Sequence, residues 1–105
     1  MGLIYLGLLK VHRFSSIGRY YVIVPPTPIV RSIGGKRLNF ITEVLSNNCM
    51  DKSLEGVVIT FRATLSVIKR WDGDYWYRIL LPTRFNDVWG KIVNCGRIRL
   101  FLSLT

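Results

Sequence analysis

The sequence predicts a mainly β domain: a small six-stranded barrel, closed or partly open, made of two β-β-α-β units with one or two short helices. Three observations carry this. Val57, Ile59, Phe61, Ala63, Leu65 and Val67 alternate with Val58, Thr60, Arg62, Thr64, Ser66 and Ile68, the period of a half-buried strand. Turn chemistry recurs at short intervals, with Asp72-Gly73 the strongest hairpin signal. The chain also matches itself at an offset of 56 residues.

That self-match runs without a gap from about residue 3 to residue 34. Leu9 meets Leu65, Val11 meets Val67, Tyr21 meets Tyr77, Ile23 meets Ile79, Pro26 meets Pro82, Thr27 meets Thr83 and Gly34 meets Gly90. Arg13 on Lys69 and Tyr20 on Trp76 are conservative pairs. The seven identities exceed the roughly two that ordinary residue frequencies supply. The chain of 105 residues suits one domain, 1–105, with pseudo-repeats 3–45 and 57–105 and a polar linker 46–56.

The elements follow in order. Residues 3–14 read as a strand and 15–18 as a turn. Arg19 to Val24 is a strand stopped by Pro25-Pro26, since proline donates nothing to a ladder. Thr27 to Ile33 is a short helical piece weakened by Pro28, Gly34-Gly35 breaks it, and 36–45 is a strand. In the second half, 57–68 and 75–81 are strands around the Trp71-Asp72-Gly73-Asp74 turn. Thr83 caps a helix whose apolar positions are Phe85, Val88, Trp89 and Ile92. Gly96 follows that helix. In the last strand Ile98, Leu100, Leu102 and Leu104 face the core, opposite Arg97, Arg99 and Ser103. Tyr21 and Tyr77 are assigned to the core.

The strand–Pro82-Thr83–helix–Gly96–strand unit, echoed at Pro26-Thr27 and Gly34-Gly35, resembles the cradle-loop barrels, of which the double-psi β-barrel is one form. The Leu81-Pro82 strand end also resembles a small domain found beside bacteriocin-protection-type proteins. A looser likeness is to AbrB-type DNA-binding domains, which build a barrel from two swapped chains. Such barrels serve DNA binding, adaptor binding or catalysis, so the resemblance implies a fold and leaves function to the site.

Charge is the strongest compositional signal. Fifteen Lys and Arg, ten of them Arg, stand against six Asp and Glu, a formal net charge of +9. A field of this sign attracts polyanions, and guanidinium matches phosphate with a planar fork of donors. One candidate group is Arg13, Arg19, Lys69 and Arg70 near the first hairpins, interleaved with Tyr20, Trp71, Tyr75 and Trp76. A second is Arg37, Arg97 and Arg99 on the outer face of the closing strands. Arg84 and Lys91, with Arg31 and Lys36, flank the helical pieces. Cation beside exposed ring is the arrangement that grips phosphate and stacks on bases.

Catalytic chemistry finds no comparable support. His12, the lone histidine, reads as a half-exposed strand residue, and Asp72 and Asp74 as turn residues. Glu43 and Glu55 have no evident sequence partner. Gly34-Gly35-Lys36 lacks phosphate-loop spacing and precedes a strand. A structural zinc site needs four ligands, and no metal or other cofactor is expected. Cys49 and Cys95 have no CxxC partner and read by default as reduced, buried thiols of a cytoplasmic protein, their pairing left open. The apolar opening run, residues 3–9, lacks the basic flank of a signal peptide and is too short for a membrane span.

The sequence therefore points to a non-enzymatic nucleic-acid-binding protein. DNA is preferred over RNA, gripped through the phosphate backbone by Arg13, Arg19, Arg37, Lys69, Arg70, Trp71, Arg84, Lys91, Arg97 and Arg99. No helix carries base-reading polar residues, so sequence specificity is limited. The alternative is a protein-interaction module or homodimer, resting on the outward Ile68, Leu80 and Phe101. Neither a membrane nor a small-molecule substrate is expected as partner.

Overall fold

The computed structural model describes residues 2–45, 49 and 51–104. Seven strands form one antiparallel sheet. They are β1 (Leu3–Leu9), β2 (His12–Arg13), β3 (Tyr20–Val24), β4 (Arg37–Val44), β5 (Val58–Lys69), β6 (Tyr75–Leu80) and β7 (Ile98–Ser103). Two short helices, α1 (Pro28–Ile33) and α2 (Asn86–Ile92), complete it, with single 3-10 turns at Lys52–Leu54 and Thr83–Phe85. The order across the sheet is β1-β7-β4-β5-β6-β3-β2, and the sheet curls around its apolar face. The mainly β, barrel-like character is as the alternation predicts. Part of the expected linker, residues 46–48 and 50, lies outside the described residues.

The count of six strands is corrected to seven, and of the two forms expected, closed or partly open, the hydrogen-bonded ladder takes the open one. The reason lies in the first predicted strand, 3–14, which breaks at Lys10-Val11. Its first part pairs with β7 from Leu3↔Ser103 to Leu9↔Ile98, with a register shift between Tyr5 and Gly7. Its second part pairs with β3 at His12↔Tyr21 and Arg13↔Tyr20. The two outermost strands are therefore consecutive in the chain. Val11, fully buried, pins the crossing.

Exchanging the halves sends each pairing onto another. The β4–β5 pair maps to β7–β1, and β5–β6 to β2–β3, while β3–β6 and β4–β7 map onto themselves. The offset of 56 nevertheless sets Tyr21 against Tyr77, and the two face opposite ways. Tyr20, Val22 and Val24 are buried, so Tyr21 and Ile23 stand on the opposite, outer face. Tyr77 is buried with Ile79 and Leu81. Tyr20, not Tyr21, thus shares the inward phase of Tyr77, because a one-residue slip in a period-two strand reverses every side chain.

The core takes the inward residues of β5 (Ile59, Phe61, Ala63, Leu65) and of β7 (Ile98, Leu100, Leu102), with Phe40 and Val44 from β4. Helix α2 covers one end of it. Trp89 is fully buried, meets Phe61 and Phe85 edge-on, and donates its indole N–H to the Pro82 carbonyl at 3.0 Å. Thr83 makes no cap, contrary to expectation: it sits inside the 3-10 turn and no side chain caps α2. Pro28 supports rather than weakens α1. It occupies the first turn, where a missing N–H costs nothing, and the Thr27 hydroxyl accepts from the Val30 amide at 3.3 Å. Leu104, expected in the core, is exposed.

Gly34 shows how tightly α1 is docked. A β-carbon there would run into the ring of buried Tyr77, and one at Gly90 would meet the Tyr20 hydroxyl at 3.0 Å. Gly34→Ala is expected to cost about 1–3 kcal/mol, the range for overpacking a core. Equilibrium denaturation checks it, and an unchanged midpoint would show that Tyr77 can yield.

The two cysteines are not free thiols. Cys49 and Cys95 form a disulfide with a Cα–Cα separation of 4.3 Å, tying the segment after β4 to the turn after α2. The reading as reduced thiols is corrected. The signal was spatial: β4 and β7 are neighbours, and the cysteines lie beyond the Val44↔Ile98 end of their ladder.

Candidate functional site

The outer face of β5 carries Arg62, Thr64 and Ser66, which follows from the alternation that buries Phe61, Ala63 and Leu65. In β4, Arg37 stands directly opposite Thr64, and Asn39 opposite Arg62. Pro82 ends β6 and turns the chain so that Thr83 and Arg84 return toward β5. Arg19, just before β3, closes the other side. Together Arg19, Arg37, Arg62 and Arg84 surround a cavity of about 460 Å³, with Thr64, Ser66 and Thr83 supplying hydroxyls and Ala63, Leu80 and Pro82 apolar wall.

Two further hollows share Arg62 with this cavity. One neighbouring hollow adds Asn39, Thr60 and Ser103 beside Arg62 and Arg84. Another adds Lys36 beside Arg37 and Arg62. Arg62 borders all three, and the surface they share around it is a basic groove. None of the chain's six carboxylates lines any of them. Among the described residues the ion pairs are Arg99–Glu43 at 3.0 Å, Lys52–Glu55 at 3.7 Å and Lys91–Asp51 at 3.9 Å, so no groove arginine is neutralised.

The groove arginines are partly held in place. Arg19 donates from Nη2 to the Leu81 carbonyl at 3.4 Å, and its buried Nε has no partner. The Arg84 guanidinium lies over the Phe85 ring at 4.8 Å. Guanidinium groups fixed by stacking or one carbonyl lose less rotamer freedom on binding, and their remaining donors stay available to an anion.

Three of the sequence candidates, Arg19, Arg37 and Arg84, converge in the groove. The others do not join it. Arg99 is tied to Glu43, directly opposite in the β4–β7 register. Lys91 faces Asp51, whose carboxyl the Ser53 hydroxyl and amide, with Lys91, hold below the usual range. Arg13 and Lys69 are exposed near strand ends, and Arg97 is exposed just before β7. Alternation separates Lys69 from Arg70, which turns outward over the Trp76 ring at 4.3 Å. Trp71 projects at the hairpin tip, 92% exposed. The expected gathering of Arg13, Arg19, Lys69 and Arg70 is therefore corrected. Arg62 was missed, although its outward place between Thr60 and Thr64 was readable from the alternation.

The chain matches no family model, no curated protein and no solved structure.

The same outer face carries rings toward its far edge. Tyr21 stands opposite Leu80 in the β3–β6 ladder and opposite His12 in β2. The His12 ring stacks on Tyr21 at 5.2 Å and 22°, and Phe14 packs on Tyr21 at 4.5 Å. Asp72 and Asp74 are turn residues, as read: the Asp74 amide donates to the Asp72 carboxyl at 3.1 Å and the Arg70 amide to the Asp74 carbonyl at 2.9 Å. Among the described residues no three His, Cys, Asp or Glu side chains cluster to hold a metal ion. No described helix is long and apolar enough to cross a membrane.

Partial burial, with Lys10 nearby, holds the His12 imidazole below its ordinary value of 6.5. The unfolded chain then takes up this proton at higher pH than the folded one. Stability from neutral His12 is complete above the unfolded value and declines as pH falls toward the folded value. His12→Gln is expected to flatten that decline in unfolding midpoints between about pH 7 and pH 5. Superimposable profiles for the two proteins would refute it.

Proposed function

We propose that the protein is a non-enzymatic nucleic-acid-binding module that grips the phosphate backbone in the groove centred on Arg62, with DNA the first candidate and little sequence specificity. The observation that carries this is four arginines and three hydroxyls around one cavity with no carboxylate. Phosphate oxygens accept from guanidinium forks and hydroxyls together, and positive charge held without a counter-charge is a site for an anion. The short helices support limited specificity. Helix α2 buries Trp89 and Ile92 against the core and does not stand clear to enter a major groove.

The test is anisotropy of a labelled oligonucleotide across a salt series. Binding is expected at about 50 mM salt, with affinity falling steeply by about 200 mM through counterion release. Absence of binding at the lower salt would sink the reading.

The fold reading that accompanies it is two β-β-α-β halves, 3–45 and 57–105, in the manner of the cradle-loop barrels. The reciprocal docking of Gly34 on Tyr77 and Gly90 on Tyr20 supports it. A second functional reading, self-association or protein binding, is favoured by one other surface. On the β1–β7–β4 part of the outer face, Tyr5, Phe101 and Ile41 stand in one cross-strand row, with Leu3 and Leu8 exposed beside it. An apolar patch of this kind marks an association surface. Light scattering tests it: an obligate oligomer without nucleic-acid affinity would replace the first reading.

A further inference from the structure

We infer that the nucleic acid held here is single-stranded, its phosphates in the arginine groove and its bases laid on the ring cluster around Tyr21. The inference rests on the groove reading above and adds to it the form of the ligand.

Register places the two features side by side. Arg37 is opposite Thr64, Thr64 and Leu80 both wall the groove, Leu80 is opposite Tyr21, and Tyr21 is opposite His12. Residues paired across antiparallel strands share a face, so groove and rings occupy one surface with Leu80 as their common border. From Thr64 to Tyr21 is two strand spacings, about 10 Å. A strand running over the sheet across β5, β6 and β3 passes from the cations directly onto the rings.

The rings suit stacking. His12, Phe14 and Tyr21 are each partly exposed. They brace one another, and the Arg78 guanidinium sits 5.3 Å from the Phe14 ring centre and 5.9 Å from that of Tyr21. This mix of braced ring and guanidinium offers a π-surface and a positive charge to any unpaired base. No carboxylate pairs with Arg78 among the described residues. His12, kept uncharged near neutral pH, adds a ring rather than a cation.

A duplex cannot use this half of the surface. Its base faces are stacked inside the helix, and a side chain reaches only base edges through the grooves. The partly exposed rings then have no role in binding a duplex, whereas unstacked bases satisfy cation and ring together.

The test measures anisotropy at about 50 mM salt for four labelled oligomers of equal length: single-stranded DNA, single-stranded RNA, duplex DNA and an abasic DNA strand. Either single strand is expected to bind at least about tenfold more tightly than the duplex or the abasic strand. Tyr21→Leu, which keeps an apolar residue on the strand, is expected to weaken single-strand binding by roughly tenfold and leave the abasic strand unaffected. Tyr21→Phe restores binding. Phe14→Leu gives the same loss should Tyr21→Leu fail to fold. Duplex affinity equal to or above that of both single strands overturns the inference, as does unchanged single-strand affinity in the leucine variants. In either case the groove reading survives, provided Arg62→Glu still weakens binding. Failure of the wild-type chain to bind any of the four overturns both.

Discussion

Arg62→Glu is expected to weaken nucleic-acid binding roughly tenfold to a hundredfold at low salt, with little change in stability. The size follows from the loss of at least one charge-assisted hydrogen bond, about 1.5–3 kcal/mol, with repulsion added by the new carboxylate. Arg62 is chosen because it borders every section of the groove. A further signature separates a phosphate contact from general attraction. Loss of one such contact lowers the slope of log affinity against log salt by about 0.9 for duplex or 0.7 for single strands. The control is Arg99→Ala. Arg99 is already matched by Glu43 at 3.0 Å and lies on another part of the outer face. Its loss should alter affinity by no more than about threefold, the scale of a rim charge. The unfolding midpoint of Arg62→Glu should stay within about 0.5 kcal/mol of wild type, as for other exposed positions. Equal effects at Arg62 and Arg99 would show that net charge, not the groove, governs binding.

Removal of the Cys49–Cys95 bond is expected to cost about 4 kcal/mol of stability. The two residues are 46 positions apart, and an unfolded chain freed from a loop of that length recovers most of this as conformational entropy. The loss is a large share of the ~5–15 kcal/mol that ordinarily holds a domain folded. Denaturation with and without a thiol reductant measures it, with Cys49→Ser plus Cys95→Ser as the reductant-free comparison. Coincident midpoints would show that the bond constrains nothing. The groove arginines lie on strands and turns away from the bond, so binding per folded molecule should persist while the folded fraction falls. The bond also bears on compartment. Such cross-links persist in oxidising surroundings or in the intracellular proteins of hyperthermophiles, so the argument from reduced thiols to the cytoplasm no longer holds.

Local periodicity made much of the fold legible. The alternation over residues 57–68 gave β5 and its buried face from Ile59 to Leu65, though Val67 is exposed; Asp72-Gly73 gave the hairpin, and Ile98, Leu100 and Leu102 gave the inner face of β7. What failed was decided by pairing across long separations. Nothing local to residues 3–14 states that Leu9 belongs beside Ile98 while His12 belongs beside Tyr21, so the break at Lys10-Val11 was invisible. The same holds for the cations. Arg62 and Arg99 look alike in sequence, each outward on a strand. Only register reveals that Glu43 stands opposite one and Asn39 opposite the other. Tyr21, expected in the core as an aromatic strand residue, stands on the outer face because Tyr20, Val22 and Val24 take the inward phase of β3.

The adjacency of β1 and β2 in the chain has a consequence for how molecules of this protein can meet. Amyloid-like growth needs a long, flat, unpaired ribbon to template the next chain. Here one margin is only two residues long, the other is bent where its register shifts near Gly7, and the backbone itself passes between them. Strand-by-strand recruitment is thereby discouraged at both margins.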